Sequence, residues 1–249
     1  MKRLLDIAVS LAALVALAPF LAGIAAAVWL HDRRSPWFRG LRVGRGGGAF
    51  RMLKFRSMRP DAWKTGVHST AAGDARITPV GRLLRRAKLD ELPQLWNVLV
   101  GDMSLVGPRP QVPAEAALYT EEERGLLVVR PGITDLASIV FADEGAILEG
   151  SADPDLLYHQ IIRPWKSRLA LLYVAHASPL ADLEIVFLTA LALVSRRRAV
   201  DGVAKILSRW GAGEGLRRVA RRRDPLEPFP PPGASRVVER CRAADFEIA

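Results

Sequence analysis

The chain has 249 residues, of which 50% are hydrophobic, and its formal net charge is +10 at pH 7. This length allows one sizeable domain with attached segments. The single cysteine, Cys241, excludes a disulfide framework within the chain and suits a reducing compartment.

The charge is unevenly distributed. Residues 33–89 hold 15 basic and 2 acidic residues, residues 90–195 hold 6 basic and 15 acidic, and residues 196–223 hold 10 basic and 2 acidic. A basic stretch beside a long apolar run points to anionic lipid headgroups or phosphorylated substrates. Nucleic acid is the rival polyanion. We find no nucleic-acid-binding motif and no aromatic residues at a stacking spacing in the basic stretch, so we predict no nucleic acid partner.

An uncharged run of 24 residues, 7–30, follows Lys2 and Arg3. A straight helix of this length, rising about 1.5 Å per residue, could cross a bilayer core of about 30 Å. Pro19 lies in the middle and favours a kink, and basic residues flank both ends, which favours the cytoplasm for both. The pattern alone fits a spanning helix and a re-entrant helix equally well. Asp6 and the length of the run argue against a signal peptide.

A β-hairpin is predicted next, because residues 41–43 and 49–55 alternate like strands around the glycine-rich residues 44–48. The glycines match neither the dinucleotide-binding nor the P-loop fingerprint, so we interpret them as a turn. Alternation puts Lys54 and Arg56 on one face, which is either solvated or directed toward a diphosphate.

Two adjacent carboxylates, Asp90 and Glu91, precede a run with helical apolar spacing. The pattern predicts a helix that begins near Asp90, where free N–H groups and the helix dipole favour an anion. Arg85 precedes the pair, and Arg109 follows it between two prolines that stiffen the backbone. A helix cap is the simplest interpretation, but a carboxylate, a helix N-terminus and fixed arginines are also what phosphoryl transfer uses.

The later elements are mostly helical by pattern. Short helices are predicted at residues 78–88 and 115–127, and apolar helices at 155–174, where Pro164 favours a kink or split, and at 178–194. The second acid pair, Asp143 and Glu144, is interpreted as a helix cap or an arginine partner. The four histidines show no metal-binding spacing, and no Ser–His–acid or Cys–His set is apparent.

Four motifs occur in a fixed order: KFRSM at residues 54–58, LDELPQLWNVL at 89–99, GDMSLVGPRP at 101–110 and RPGIT at 130–134. Together they resemble the bacterial sugar transferases, which are small monotopic phosphoglycosyl transferases, over about residues 2–198. The resemblance implies transfer of a sugar 1-phosphate from a nucleotide-sugar, expected to be a UDP-sugar, to a polyprenyl phosphate, expected to be undecaprenyl phosphate. The nucleoside monophosphate is released. This is the first membrane step of bacterial glycan assembly, at the cytoplasmic face of the inner membrane.

The resemblance also implies roles for single residues. Asp90 is the expected nucleophile, which forms a covalent aspartyl-phosphosugar intermediate, and Glu91 is its helper. The pair is expected to bind Mg²⁺ as the cofactor. Our candidates for contact with phosphate or substrate are Lys54, Arg56, Arg85, Arg109, Pro131, Gly132 and Thr134.

We therefore expect an α+β fold that is mostly helical. The resemblance favours a re-entrant membrane helix hairpin for residues 1–32. Residues 33–198 are expected to form a cytoplasmic, membrane-associated catalytic domain with a small β-hairpin and amphipathic helices at the membrane interface. Residues 199–249 are expected to form a basic, Pro-rich, mobile extension.

The expected partners are a nucleotide-sugar, a polyprenyl phosphate and membrane lipids, and the sequence leaves a homodimer open. A non-catalytic membrane-surface scaffold of a glycan-assembly complex is the alternative from another class. A nucleotide-release assay separates the two.

Overall fold

The computed structural model describes residues 2–62 and 73–239, and it confirms an α+β chain that is mostly helical. The strands are β1 (Trp37–Val43), β2 (Ala49–Phe55), β3 (Ser104–Val106) and β4 (Gly132–Thr134). The helices are α1 (Lys2–Asp32), α2 (Pro79–Arg86), α3 (Gln94–Val100), α4 (Pro113–Ala117), α5 (Leu136–Val140), α6 (Glu144–Ile147), α7 (Pro154–Leu157), α8 (Arg163–His176), α9 (Pro179–Val194), α10 (Arg196–Arg209) and α11 (Glu214–Ala220).

The N-terminal apolar run forms one continuous helix, α1, with Pro19 in its interior. Within the described residues, α1 is the helix that is long and apolar enough to cross a membrane. Its buried side chains lie only near its two ends, Asp6 and Ser10 at one and Ile24 and Val28 at the other. Its middle is largely exposed and apolar.

The first turns of α1 are fixed to the rest of the chain by polar contacts. Lys2 forms an ion pair with Asp182 at the start of α9, and its Nζ donates to the carbonyl oxygen of Val106 at 3.1 Å. Asp6 is buried and accepts from the Ser104 hydroxyl at 2.9 Å and from the Leu105 N–H at 3.1 Å. The last turns are fixed as well. Apolar side chains of α1 pack against β2 and α2. The globular part of the chain therefore holds both ends of α1.

The predicted β-hairpin is confirmed, and its first strand begins earlier than expected, at Trp37. β1 pairs with β2 antiparallel, with Phe38 opposite Lys54 and Arg42 opposite Phe50. Residues that face each other across an antiparallel pair project to the same side, so Arg42 and Lys54 share a face. Trp37 stacks on Phe55 with ring centroids 5.0 Å apart.

A short parallel pair, β3 and β4, joins two of the sequence motifs. Ser104 pairs with Gly132 and Val106 with Thr134. The backbones approach so closely that a Cβ added at Gly132 would lie 2.1 Å from the Gly107 nitrogen, and one at Gly107 would lie 2.4 Å from the Arg130 oxygen. Only glycine fits at these two positions, which explains their presence in the motifs on steric grounds.

One predicted helix is corrected by the structure and one is confirmed. The expected helix at 115–127 is instead α4 followed by a 3₁₀ segment at Glu123–Val128. The split expected from Pro164 within 155–174 is confirmed, because these residues form α7, a π-helical turn at Tyr158–Ile162, and α8. Pro164 lies in the first turn of α8, where its missing N–H interrupts the hydrogen-bond ladder and accounts for the division.

The main core is built by α5, α8, α9 and α10. Residues 199–239 are therefore not a loose extension. Ala199, Val203 and Leu207 recur at helical spacing and are fully buried in this core. The pattern was present in the sequence, but the high density of arginine around it obscured it. Residues 240–249 lie outside the described part of the chain.

The predicted apolar helix at 178–194 is confirmed as α9, capped by the Ser178 hydroxyl, which accepts from the Ala181 N–H at 3.2 Å. One side of α9 packs in the core through Ile185 and Leu188. The other side exposes large apolar residues, among them Leu180, Leu183, Phe187, Leu193 and Val194. Exposed apolar surface of this extent is typical of a helix that lies on a membrane or a partner.

Candidate active site

The acid pair lies in a tight turn between α2 and α3. Lys88 has a left-handed backbone with φ of 55°, and residues Leu89–Glu91 form a 3₁₀ turn. Pro93 follows as the N-cap of α3, which starts at Gln94. The prediction that a helix begins near Asp90, with Asp90 as a cap or first-turn residue, is confirmed for the position of Asp90, which lies in the first helical turn. That turn is 3₁₀, and the α-helix itself starts only at Gln94.

Glu91 is held through both carboxylate oxygens. Arg109 donates Nη1 to Oε2 at 3.0 Å and Nη2 to Oε1 at 2.5 Å, and Lys54 donates Nζ to Oε1 at 2.9 Å. Burial by itself raises the pKa of Glu91, but the charges and hydrogen bonds of Arg109 and Lys54 outweigh it and hold the pKa well below its usual range. Glu91 is therefore a fixed anion that orients two cations.

Asp90 has a different environment, although it is the adjacent residue. It is only 7% exposed, and it forms no ion pair with any residue in the described part of the chain. Burial raises the pKa of Asp90 above its ordinary value, and the positive charge of Lys54 opposes this. The backbone N–H of Asp90 favours the anion, as expected at a helix N-terminus, but burial outweighs its effect on the pKa. A desolvated carboxylate without a salt-bridge partner is better placed to attack than one that is already neutralised.

Arg85 is the nearby cation that is left open for a ligand. It is half-buried, its charge acts on Asp90 to lower the pKa of that carboxyl, and it forms no ion pair among the described residues. Arg56, which alternation placed beside Lys54, lies past the end of β2. Its guanidinium binds both carboxylate oxygens of Asp32 at 2.6 and 2.7 Å. The structure therefore uses Arg56 to hold the last turn of α1.

Arg109 is positioned by the segment that the resemblance singled out. Besides Glu91, its Nη1 donates to the carbonyl oxygen of Ile133 at 2.8 Å. Pro131, Gly132 and Thr134 surround that carbonyl and are buried, and the Thr134 hydroxyl is 2.7 Å from the Thr189 hydroxyl. Burial argues against direct contact of these three residues with phosphate. These residues instead position the Ile133 carbonyl oxygen and thereby Arg109.

Arg42 is a further candidate that we did not identify from the sequence. Burial, together with the nearby charge of Arg109, lowers the pKa of Arg42 to about 10. It has no carboxylate partner in the described residues, and its Nη1 donates to the Leu41 carbonyl oxygen at 2.7 Å. The hairpin register puts it on the face of Lys54. The strand register could have placed Arg42 on this face from the sequence, but the register depends on the length of the hairpin turn.

A narrow recess with a cavity volume of about 30 Å³ opens beside Arg109. We refer to it as the recess; its walls include Arg109, Gln111, Glu115, Tyr119, Asp135, Tyr158, Arg163, Lys166 and Ser167. Arg109 thus lies between Glu91 and the recess.

The second acid pair lies near this recess and has cationic partners. Asp143 binds Arg196 at 2.6 Å and Arg222 at 3.1 Å, while Glu144 forms an ion pair with Lys166. The prediction of an arginine partner is confirmed for Asp143. Of these residues, Lys166 lines the recess.

Comparison with known proteins decides the family. The model of the family described as "Bacterial sugar transferase" matches residues 1–196. The chain belongs to this family. Membership places it among the phosphoglycosyl transferases and confirms the resemblance that the four motifs indicated. Residues after 196 lie beyond the family match.

Curated relatives agree with the family assignment. The exopolysaccharide production protein PSS of Rhizobium leguminosarum bv. phaseoli is 39% identical over 207 residues, which cover 79% of this chain and 96% of the relative. A UDP-glucose:undecaprenyl-phosphate glucose-1-phosphate transferase of Klebsiella pneumoniae is 38% identical over 195 residues, covering 76% of this chain and 39% of the relative. One of the same name from Caulobacter vibrioides is 46% identical over 142 residues, covering 55% of this chain and 53% of the relative. The chain thus spans less than two thirds of the latter two.

The carboxylate oxygens of the acid pair in this sugar transferase are suitable ligands for a Mg²⁺ ion. The described part of the chain has no group of three or more His, Cys, Asp or Glu side chains that could hold a metal by themselves. Mg²⁺ does not require one, since it usually binds one or two carboxylates together with phosphate oxygens and water. Asp90 has no cationic partner there, and Glu91 is adjacent, so the pair and a substrate phosphate supply suitable oxygens.

Proposed function

We propose that this sugar transferase moves a sugar 1-phosphate from a UDP-sugar to undecaprenyl phosphate and releases UMP, through a covalent intermediate on Asp90. The observation that carries the proposal is the contrast within the acid pair. Glu91 is held by Arg109 and Lys54, whereas Asp90 is buried beside them without an ion-pair partner in the described residues. Glu91 holds the two cations in place, and Asp90 stays available as the nucleophile.

The charge around the pair fits this reaction. Two phosphate groups must approach each other, so neutralisation of negative charge is the main task of the site. The positive charges of Lys54, Arg85, Lys88 and Arg109 act on the two carboxylates, and Arg42 lies near Arg109. The surplus positive charge can accept a diphosphate. Arg109 and Glu91 keep each other aligned, so a phosphate meets a guanidinium that is already ordered.

The chemistry balances without an added co-reactant. A carboxylate oxygen of Asp90 forms a bond to the phosphorus that carries the sugar, and the bond from that phosphorus to the bridging oxygen breaks. UMP leaves with that oxygen and its electron pair. An oxygen of the lipid phosphate then attacks the same phosphorus, and the Asp90 carboxylate is released. Mg²⁺ held by Asp90, Glu91 and phosphate oxygens supplies further charge neutralisation when bound.

Membrane attachment follows from α1. A straight helix of its 31 residues would be about 45 Å long. If α1 spanned the bilayer, Lys2 and Asp32 would lie on opposite sides, yet the same domain binds Lys2 through Asp182 and Asp32 through Arg56. We propose that α1 enters the inner membrane from the cytoplasmic side and returns to it, bending at Pro19. The exposed side of α9 then rests on the same surface.

The topology is tested with single cysteines in a Cys241→Ser background. One cysteine precedes Met1 in a short Gly-Ser extension, and the matched control is Arg45→Cys in the hairpin turn. We expect an impermeant thiol reagent to label neither in intact cells and both after permeabilisation. External labelling of the N-terminal cysteine alone would establish a spanning helix and overturn the proposed topology.

The activity itself is tested by UMP release from a panel of UDP-sugars in the presence of undecaprenyl phosphate and Mg²⁺. UDP-glucose and UDP-N-acetylgalactosamine come first, because the relatives are named for these sugars. We expect release with at least one donor, and dependence on the lipid for multiple turnovers. No release from any donor by a folded, membrane-bound protein would favour the alternative of a non-catalytic scaffold.

A further inference from the structure

We propose that the outer surface of α9 and α10 binds anionic phospholipid headgroups of the inner membrane. The inference rests on the proposed function, because it starts from a domain that α1 attaches to that membrane. It adds which lipids the domain selects and which helix selects them. That helix is α10, which begins where the family match ends, at residue 196.

The two helices lie side by side and antiparallel. Ser195 alone connects them, and Arg209 in the last turn of α10 forms an ion pair with Glu184, in the second turn of α9, at 2.5 Å. Between these ends, a Cβ added at Gly202 would lie 2.4 Å from Cδ2 of Leu188, so the backbone of α10 is in direct contact with that side chain. Contacts along both helices therefore give one continuous outer surface.

One row of α10 residues carries positive charge along the boundary with α9. Its members are Arg198, Gly202, Lys205 and Arg209, and their helical spacing places them on one side of α10. Since Gly202 contacts α9, the row borders α9, and because the other side of α10 is buried in the core, the row faces outward. Arg198 and Lys205 are exposed and form no ion pair among the residues that the structure describes.

The acidic residues nearby do not neutralise this row. Glu184 is already bound to Arg209, and Asp201, the acidic residue within α10, faces Arg223 at 3.8 Å. The counter-charge for the other two cations of the row therefore comes from outside the described chain. Headgroups with a net negative charge supply it, whereas zwitterionic headgroups have no net charge.

The neighbouring row of α9 identifies a membrane as the occupant, rather than water or an acidic protein. Its large apolar side chains are exposed by 62% or more: Leu180, Leu183, Phe187 and Val194. An apolar row beside a basic row is the pattern of helices that lie in the headgroup region, with apolar side chains at the acyl boundary and cations at the phosphates. The Lys2–Asp182 ion pair also ties the start of α9 to α1. The surface is thus continuous with the helix that enters the bilayer.

The test places the full chain in nanodiscs and reads the depth of single labelled cysteines in a Cys241→Ser background. One disc contains phosphatidylcholine alone, and the other contains an equal mixture with phosphatidylglycerol. Ser208→Cys reports on α10, because it is exposed one turn from Lys205 without belonging to the row. Val15→Cys reports on the exposed middle of α1. The fluorescent labels are quenched by lipids that carry a nitroxide either at the headgroup or in the acyl chain.

We expect headgroup quenching at position 208 to be strong in the anionic disc, weak in the phosphatidylcholine disc and reduced by high salt. Each cation near an anionic surface strengthens binding about fivefold, so the loss of two should weaken it about 25-fold. The double change Arg198→Gln and Lys205→Gln should therefore lower the quenching in the anionic disc to near the phosphatidylcholine level. The control double change, Arg124→Gln and Arg236→Gln, removes two exposed arginines outside α9 and α10 and should quench like the intact chain.

Equal quenching at position 208 in both discs would overturn the proposal. Strong quenching in both would leave the apolar row of α9 as the whole contact, and weak quenching in both would leave the basic row to water or an acidic protein. This comparison needs no change in the row, so it decides even if the double change impairs folding. Acyl-chain quenching at position 15 reports entry of α1 into the bilayer, so its absence would remove the proposed attachment together with this inference. UMP release in the same discs tests the proposed activity separately.

Discussion

Asp90→Asn is expected to abolish turnover while donor binding survives. Asparagine keeps the size of the side chain, but its amide cannot attack phosphorus. Asp90 has no ion pair among the described residues, so the change leaves no cation newly unpaired there and the turn should stay folded. We expect UMP release to fall by a factor of at least about 10³, as is usual when a covalent nucleophile is removed.

Covalent labelling separates the nucleophile from a merely helpful carboxylate. With a donor labelled in its sugar phosphate and no lipid acceptor, the intact chain should retain label on protein, and hydroxylamine should release it. Asp90→Asn should retain none, and the matched control Asp201→Asn, at a half-buried carboxylate on α10 that faces Arg223 at 3.8 Å, should label normally. Label on Asp90→Asn, or turnover near the intact rate, would move the role of nucleophile to Glu91.

The pH dependence of the intact enzyme follows from the same carboxyl group. Burial raises the pKa of Asp90, and only the ionised form can attack. Activity should therefore increase with pH through a transition that lies above the pKa of an ordinary aspartate. Loss of the neighbouring positive charge in Lys54→Met should move this transition to still higher pH.

Arg109→Lys is expected to have the second largest effect, although it conserves charge. Arg109 makes two bonds to Glu91 and one to the Ile133 carbonyl, and all three depend on a planar guanidinium. A lysine can replace at most part of this set, so Glu91 loses its orientation and the donor phosphate loses a fixed partner. We expect kcat to fall by a factor of about 10²–10³, as when one preorganised donor is removed from an active site.

Arg130→Lys provides the matched control for Arg109→Lys. Arg130 belongs to the adjacent motif and is half-buried, but its bond is a single one, from Nε to the Gly101 carbonyl oxygen at 2.9 Å. A lysine can make one such bond, so activity should stay within a few-fold. Equal losses of activity in both variants, or near-normal activity in Arg109→Lys, would show that activity does not depend on the planar geometry of the Arg109 guanidinium.

The local patterns predicted much of the architecture. The hairpin, α2, α9 and the apolar α1 all lie where periodicity and capping residues placed them, because these signals depend on neighbours in the chain. The predicted helix at 115–127 failed where a 3₁₀ segment replaced its second half, and the pattern did not distinguish the 3₁₀ turn before α3 from an α-helix. The recess could not be predicted, since its walls come from segments far apart in sequence.

The sequence by itself determined the family, because four motifs occur in order along the chain, and it predicted the acid pair and its cations as the candidate site. Only the tertiary structure decided which of these residues pair with one another. It paired Lys54 and Arg109 with Glu91 and left Asp90 buried beside them, it gave Arg56 to Asp32, and it brought in Arg42. Partner choice and desolvation depend on which distant segments meet, and these set the reactivity of two carboxylates that are adjacent in the sequence.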